Sequence, residues 1–224
     1  MTFSIAARCA KTGMFGIAVS SSSPAVAARC AYARARVGAA GSQNITDPTL
    51  GPRLLDLMAL GATAPEAVRI VSETAPHIAY RQLVAVDASG RTGAYSGAKT
   101  LGTYAAVEGD GAVAAGNMLK TKGVPERMIS AFSSAGGGLG GRLLTAMRAG
   151  LDAGGEEGPV RSAGLLLVRD VPWPVANLRV DWSDGDPIAD LERLWETYEP
   201  QLEAYVMRAL DPTSAPSFGV PGDE

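Results

Sequence analysis

Residues 2–23 read TFSIAARCAKTGMFGIAVSSSS and contain two strand-like runs that are separated by a short polar segment. The runs cover residues 2–9 and 15–23, and both carry β-branched and aromatic side chains, which favour strands. The segment between them contains Gly13, which favours a turn. These features predict an antiparallel hairpin whose first strand begins at Thr2, directly after Met1.

Groups of strands and groups of helices alternate along the rest of the chain. A third strand, made of small residues, is predicted in residues 35–44, with Arg34 and Arg36 at its start. The later elements follow from hydrophobic periodicity and from turn and cap residues. They are helices in residues 46–62, 65–75, 125–135, 141–154 and 187–210, a hairpin in residues 80–97, and strands in residues 111–119, 161–170 and 175–184.

The order of these elements predicts the fold class. Adjacent strands joined by short turns favour antiparallel sheets. Residues 164–168, GLLLV, are apolar on both faces of a strand, so both faces of their sheet are expected to be covered. We therefore predict an α+β protein, a four-layer αββα sandwich of two antiparallel sheets flanked by helices, with one domain in residues 1–210 and a flexible C-terminal tail in residues 211–224.

Composition excludes several classes of function. The chain has 224 residues, 46% of them hydrophobic, and a net charge of −3, so it has no basic field for nucleic acid. No apolar run approaches the length that spans a membrane, and no leader is recognised at the N-terminus. Cys9 and Cys30 fit neither a disulfide framework nor a metal site. We predict a cytoplasmic protein without cofactor or metal and without a nucleic-acid or membrane partner.

Three features each allow a functional and a purely structural interpretation. His77, the only histidine, is either a polar residue at a helix end or part of a Ser-His-Asp triad. Residues 133–144, SSAGGGLGGRLL, form either a phosphate-binding loop or a connection between helices. Asp181, Asp184 and Asp186 either bind a cation or form a turn and cap the last helix. The structural interpretation is preferred for all three.

Thr2 is the main candidate for chemistry. An initiator methionine is normally removed when the second residue is as small as threonine, and its removal would leave Thr2 with a free α-amine. The pKa of an α-amine lies near neutrality, so the amine can take the proton of the same residue's hydroxyl. Ser20–Ser23, at the end of the second strand, either donate hydrogen bonds to an oxyanion or only satisfy backbone groups.

Five blocks of the sequence resemble, in order, an uncharacterised bacterial family, number 1028 among the domains of unknown function. The blocks are residues 1–23, 33–61, 81–97, 111–119 and 162–181. The resemblance covers about residues 2–200, nearly the whole chain. That family is grouped with the N-terminal nucleophile hydrolases, which have a proteasome-like αββα fold and cleave amide bonds with an N-terminal Thr, Ser or Cys.

The resemblance implies that Thr2 occupies the position of the nucleophile. Ser20 and Ser22 occupy positions where proteasome-type members carry an Asp and an Arg, and Arg34 is the best match to their strand-three Lys. Ala115 stands where the family often has Gln. The usual acid and Lys of the superfamily are therefore absent from these positions.

Two hypotheses follow from these residues. The first is an amidohydrolase that cleaves a small amide or peptide through Thr2; the second is a non-catalytic small-molecule-binding or assembly protein that keeps the fold. A homo-oligomer is expected in either case. The candidate catalytic residues are Thr2, Arg34 and Asn117, and the candidate substrate-binding residues are Ser20, Ser21, Ser22, Gln43, Asn44 and Gly116.

Overall fold

The computed structural model describes residues 1–220, and the end of the predicted tail, residues 221–224, lies outside the described part. In residues 1–220, ten strands form two antiparallel sheets of six and four strands, in the orders β10-β9-β2-β1-β8-β7 and β3-β4-β5-β6. The strands are β1 (Thr2–Arg8), β2 (Phe15–Ser21), β3 (Ala31–Arg34), β4 (Gly38–Gln43), β5 (Gln82–Asp87), β6 (Thr92–Ser96), β7 (Ala105–Gly109), β8 (Ala112–Asn117), β9 (Ser162–Val168) and β10 (Ala176–Val180).

Helices cover the outer face of each sheet. They are α2 (Leu50–Ala59), α3 (Ala64–Thr74), α4 (Val124–Ser134), α5 (Leu139–Asp152), α6 (Pro187–Tyr198) and α7 (Leu202–Leu210), with short 3₁₀ turns at Ile78–Tyr80 and Glu199–Gln201. The four-residue α1 (Ala27–Cys30) instead contacts β2 and β9 of one sheet and β4 of the other. In the described part of the chain, none of these helices is both long and apolar enough to cross a membrane.

Three apolar clusters hold the layers together. One lies between the six-stranded sheet and α4, α5 and α6, and includes Phe3, Phe132 and Met147. A second lies between the four-stranded sheet and α2 and α3. The third, which includes Ile17 and Val84, fills the space between the two sheets. The order of layers is helix, sheet, sheet, helix, which confirms the predicted αββα sandwich.

Local signals in the sequence correctly predicted several elements. The N-terminal hairpin forms, with Phe3 paired to Ser20 and Arg8 to Phe15. Thr63 and Glu66 form a reciprocal capping box at the start of α3. Asp186 caps α6 by accepting hydrogen bonds from the first turn of that helix.

Other elements were missed or misplaced in the prediction. The short edge strands β3 and β7 and the four-residue α1 carry little hydrophobic periodicity and were not predicted. The last helix is interrupted at Glu199–Gln201, where Pro200 follows the end of α6. The predicted third strand corresponds to β4, which belongs to the four-stranded sheet and not to the sheet that contains β1.

The C-terminal segment packs mainly on the core of the first cluster. Trp195 and Leu202 are each 6% exposed, so core packing accounts for them. Tyr198 stacks on the half-exposed Tyr205. Residues 211–220 contain no helix or strand, and Arg208 donates hydrogen bonds to the Pro216 carbonyl.

Strand register brings the chain start to one end of the sandwich. β1 lies between β2 and β8, so its first residues meet the last residues of both neighbours. β4 ends and β5 begins near the same place, with Gln43 paired to Gln82. We call this end the Thr2 end and the opposite end, where β1 finishes, the Arg8 end.

Candidate functional site

Thr2 is held firmly at the Thr2 end by the sheet. It is paired with Asn117 of β8, while Phe3 is paired with Gly116 of β8 and with Ser20 of β2. Thr2 is only 6% exposed, and its side chain borders a cleft of about 250 Å³. Two central strand pairings therefore fix the first residue of β1, a part of the chain that is frayed in most domains.

A chain of hydroxyl groups connects Thr2 to a guanidinium. The hydroxyls of Thr2 and Ser21 both donate to the Met1 carbonyl oxygen, each over 2.5 Å, and they lie 3.4 Å from one another. The Ser21 hydroxyl is 2.8 Å from the Ser23 hydroxyl, which accepts a 2.6 Å hydrogen bond from Arg29. Two serine hydroxyls thus lie between the Thr2 hydroxyl and the positive charge of Arg29.

Arg29 has no acidic partner within residues 1–220. Its other hydrogen bonds go to the carbonyl oxygens of Pro24 and Ala25. It borders the cleft together with Asn44 and Asn117. A guanidinium that is held by neutral acceptors keeps its full charge available for an anionic group.

A buried network of amide side chains supports the floor of the cleft. Gln43 accepts a 2.6 Å hydrogen bond from Ser4 and donates over 2.8 Å to Gln82. Gln82 also donates to the Gly116 carbonyl, and its Oε1 accepts a long, 3.4 Å bond from Asn117. The network spans both sheets and reaches the side chain of Asn117, whose backbone is paired with Thr2.

Two residues of the site adopt left-handed backbone conformations. Asn44 has φ 59° and Met118, directly after Asn117, has φ 50°. The Asn44 amide donates to the Tyr80 carbonyl and accepts from the Leu101 N–H. Such conformations are unfavourable for most residues and often occur at functional sites.

Glu156 supplies a buried carboxylate that the sequence analysis did not find. It is 4% exposed, and its Oε2 accepts a 3.1 Å hydrogen bond from the Ser22 N–H. Its Oε1 has no hydrogen-bond partner among the described residues. Burial raises the pKa of Glu156 to about 7, although the positive chain terminus at Met1 and the bond from Ser22 act in the opposite direction.

Backbone pairing places Glu156 beside the segment that follows Asn117, behind the residues that border the cleft. The segment after α5 pairs with the segment after β8: Leu119 forms a β-bridge with Glu156, Lys120 N–H donates to Gly155, and Glu157 N–H donates to Met118. In the sequence, Glu156 lies in AGGEEGP, which reads as an exposed turn. The feature that distinguishes it in the sequence is the pair Glu156 and Glu157 between two glycines, and this is a weak signal.

The structure brings together some of the residues singled out in the sequence and separates others. Thr2, Asn44 and Asn117 border one cleft, with Ser21 directly behind Thr2 and Gln43 and Gly116 in the buried network. The Ser20 hydroxyl points elsewhere, since it donates to the Ser162 carbonyl. Ser22 contributes its backbone N–H to Glu156.

Arg34 is not brought to the cleft. It pairs with Gly38, at the end of β4 away from Gln43, and forms a solvent-exposed ion pair with Asp56. The cation that borders the cleft is Arg29 and not Arg34.

The weaker candidates have structural positions. His77 is exposed, with φ 55°, before the 3₁₀ turn at Ile78–Tyr80. Asp186 caps α6 and Asp181 pairs with Arg179. Among residues 1–220, no group of three or more His, Cys, Asp or Glu side chains is arranged to hold a metal ion.

The fold and the cleft define the class: an αββα sandwich protein with a polar cleft at the amino terminus of its central strand. The chain belongs to a family of unknown function, DUF1028, whose model matches residues 2–191. The comparison with curated proteins finds no match.

Two solved structures are similar to this chain. Protein SPO2555 from Silicibacter pomeroyi, assigned to the same family, is 30% identical, with a TM-score of 0.82 over 88% of this chain and 85% of that chain. Anbu (ancestral β-subunit) from Yersinia bercovieri is 11% identical, with a TM-score of 0.42 over 91% of this chain and 97% of that chain.

Proposed function

We propose that the protein is an amidohydrolase that cleaves a small amide or peptide bond through Thr2 after removal of Met1. The observation that carries the proposal is the position of Glu156. Its buried, half-satisfied carboxylate lies where the positive charge of the chain terminus acts on its ionisation. A buried carboxyl group with an unpaired oxygen is costly for stability, and a fold alone gives no reason to retain it.

In the proposed reaction, Thr2 supplies both nucleophile and base. Its Oγ1 forms a bond to the substrate carbonyl carbon, while the hydroxyl proton passes to the α-amine. The carbon–nitrogen bond then breaks, and the leaving amine takes that proton. Water attacks the resulting ester, the α-amine accepts a proton from the water, and Thr2 leaves with it as the acid product forms.

Glu156 stabilises the ammonium form of the amine in this scheme. An opposite charge in a buried site favours the protonated amine during the step in which it holds the hydroxyl proton. Glu156 therefore takes the part of the acid that is absent at Ser20, although it comes from a loop after α5 rather than from β2.

Asn117 and Arg29 are proposed to contact the substrate. Asn117 Nδ2 makes one long hydrogen bond, to Gln82, and so retains donor capacity for an oxyanion beside Thr2. Arg29 offers its charge to an anionic group of the substrate.

Cys9 and Cys30 are both free thiols, which supports the cytoplasm as the compartment of this reaction.

The test combines intact mass with an amide screen. Untagged protein is expected to lack the mass of Met1 and to hydrolyse at least one member of a panel of N-acyl amino acids and small peptides. Thr2→Ala should abolish this activity, and Thr2→Ser should retain a measurable part of it because the hydroxyl is preserved. Thr145→Ala, at an exposed position of α5, is the matched control and should behave as the wild type.

Retention of Met1 in the mature protein, or unchanged hydrolysis by Thr2→Ala, would contradict the proposal. The non-catalytic alternative gains support from one feature, namely that Met1 accepts hydrogen bonds from both Thr2 and Ser21 and borders the cleft. A protein that keeps Met1 would use the remaining cleft for binding only.

A further inference from the structure

A second cavity lies at the Arg8 end of the sandwich. Four connections converge there: the β1–β2, β5–β6 and β7–β8 turns and the loop between α4 and α5. The cavity has a volume of about 460 Å³, which is sufficient for a small organic anion. β1 runs from Thr2 to Arg8, so about 20 Å of strand separates this cavity from the Thr2 cleft.

Three cations border this cavity. Among residues 1–220, Arg8 and Lys11 form no ion pair, and the Arg142 guanidinium donates only to the Phe132 carbonyl. The buried Nε of Arg8 has no acceptor in the described part of the chain. Asp110 is the one acid on the wall of the cavity. The local charge is therefore positive in a chain whose net charge is −3.

The glycine-rich loop forms another wall. The structure places residues 135–138 between α4 and α5, a position that both interpretations of SSAGGGLGGRLL allow. A side chain at Gly136 would meet nothing within 4 Å, and the backbone there is not in the left-handed region. The fold thus does not require glycine at this position, whereas a ligand that approaches the backbone closely would.

Cys9 reports the electrostatic character of the same cavity. Burial opposes ionisation of its thiol, but hydrogen bonds with Thr12 and Lys11 and the charge of Arg142 hold its pKa below the usual range. A site that stabilises a thiolate also stabilises other anions.

We propose that the cavity at the Arg8 end binds a phosphorylated small molecule, with Arg8, Lys11 and Arg142 around the phosphate and the Gly136–Gly137 backbone against it. Guanidinium groups and open backbone amides suit the tetrahedral oxygens of phosphate. This site is independent of the Thr2 reaction, because none of these residues borders the Thr2 cleft.

Calorimetric titration of the full chain with inorganic pyrophosphate tests the site. Saturable binding with one site per chain is expected, and it should weaken at least tenfold in Arg8→Gln and severalfold in Lys11→Gln. Lys122→Gln and Arg127→Gln remove the same charges at exposed positions outside the cavity, and both should bind as the wild type. Circular dichroism confirms that each variant is folded.

Three results would overturn the proposal. They are no saturable heat with pyrophosphate at low ionic strength, equal thermal stabilisation by chloride at matched ionic strength, or binding that is unchanged in a folded Arg8→Gln, Lys11→Gln double variant. Because the readout is binding, these results do not depend on whether Thr2 is catalytic.

Discussion

Two buried carboxylates at opposite ends of the sandwich differ sharply in their surroundings. Asp87 is 3% exposed and Glu156 is 4% exposed. Asp87 accepts hydrogen bonds from the backbone N–H groups of Ala64, Ser89 and Arg91 and from the Arg91 side chain, over distances of 2.8 to 3.1 Å. Glu156 accepts one, from Ser22.

The pKa values follow these differences in hydrogen bonding. Burial opposes ionisation in both cases, but the donors around Asp87 outweigh it and hold the pKa below the usual range. At Glu156 burial dominates and raises the pKa to about 7. Burial alone therefore does not decide whether an acid is structural; the number of donors that satisfy it does.

The largest effect is expected from Asp87→Ala, which leaves the donors of three residues without their acceptor. The free energy of unfolding should fall by about 3 kcal/mol, measured by urea denaturation at pH 7. Asp56→Ala, which removes an exposed acid from its pair with Arg34, is the control and should cost at most about 0.5 kcal/mol. Equal losses in the free energy of unfolding for the two substitutions would contradict a structural role for Asp87.

Glu156→Gln should raise the free energy of unfolding at pH 8, whereas Asp87→Ala lowers it. The pKa of Glu156 rises on folding from 4.5 to about 7, so the folded state holds this proton more tightly than the unfolded chain does. Wild-type stability is therefore expected to fall as pH rises from about 4.5 to about 7 and to level off above that. The variant lacks this loss, which is at most about 3 kcal/mol for a shift of this size, and should be the more stable protein at pH 8.

Urea titrations of both proteins at pH 5 and pH 8 measure this difference. Burial, the largest cause of the shift, does not depend on Met1, so the sign is the same for either N-terminus. A variant that is less stable than the wild type at pH 8 would place Glu156 among the structural acids, beside Asp87.

A smaller effect is expected on the acid side of the stability profile. The folded pKa of Asp87 is lowered, so its contribution is present above its unfolded pKa and is lost as pH falls through the folded value. Asp87→Ala should lose less stability than the wild type when pH is lowered from 5 to 3. Equal losses of stability in the two proteins between pH 5 and pH 3 would contradict the lowered pKa of Asp87.

The smallest change in stability is expected from Arg34→Gln, which is compared here with Arg29→Gln. Arg34→Gln removes an exposed ion pair and should change stability by about 0.5 kcal/mol without altering hydrolysis. Arg29→Gln removes the cation of the cleft and should raise KM for anionic substrates at least tenfold relative to their neutral amides. Steady-state kinetics on such matched substrates compares the two variants. An Arg34→Gln variant with the same substrate defect would contradict the assignment of the charge to Arg29.

Much of the fold could be predicted from the sequence because its signals are local. The turn at Gly13, the capping box at Thr63 and the cap at Asp186 all act within a few residues. The assignment of strands to sheets is not local, and for that reason Arg34 was expected near Thr2. β4 pairs with β5 across a long connection, which short-range periodicity does not record.

The site was predictable only in part, for the same reason. Thr2 and Asn117 stand at the ends of recognisable strands, and their proximity follows once β1 and β8 pair. Glu156 is buried because its loop pairs with the segment after β8, a contact between residues 37 positions apart (156 − 119). Nothing near Glu156 in the sequence indicates that pairing.

Acylation of Thr2 by a β-lactone, followed by intact mass and peptide mapping, tests the central claim most directly. The account predicts that the untagged protein lacks Met1 and gains the mass of one lactone on Thr2. The adduct should be absent in Thr2→Ala and should form more slowly in Glu156→Gln. A protein that retains Met1, or an adduct on another residue that Thr2→Ala leaves unchanged, would contradict a catalytic role for Thr2.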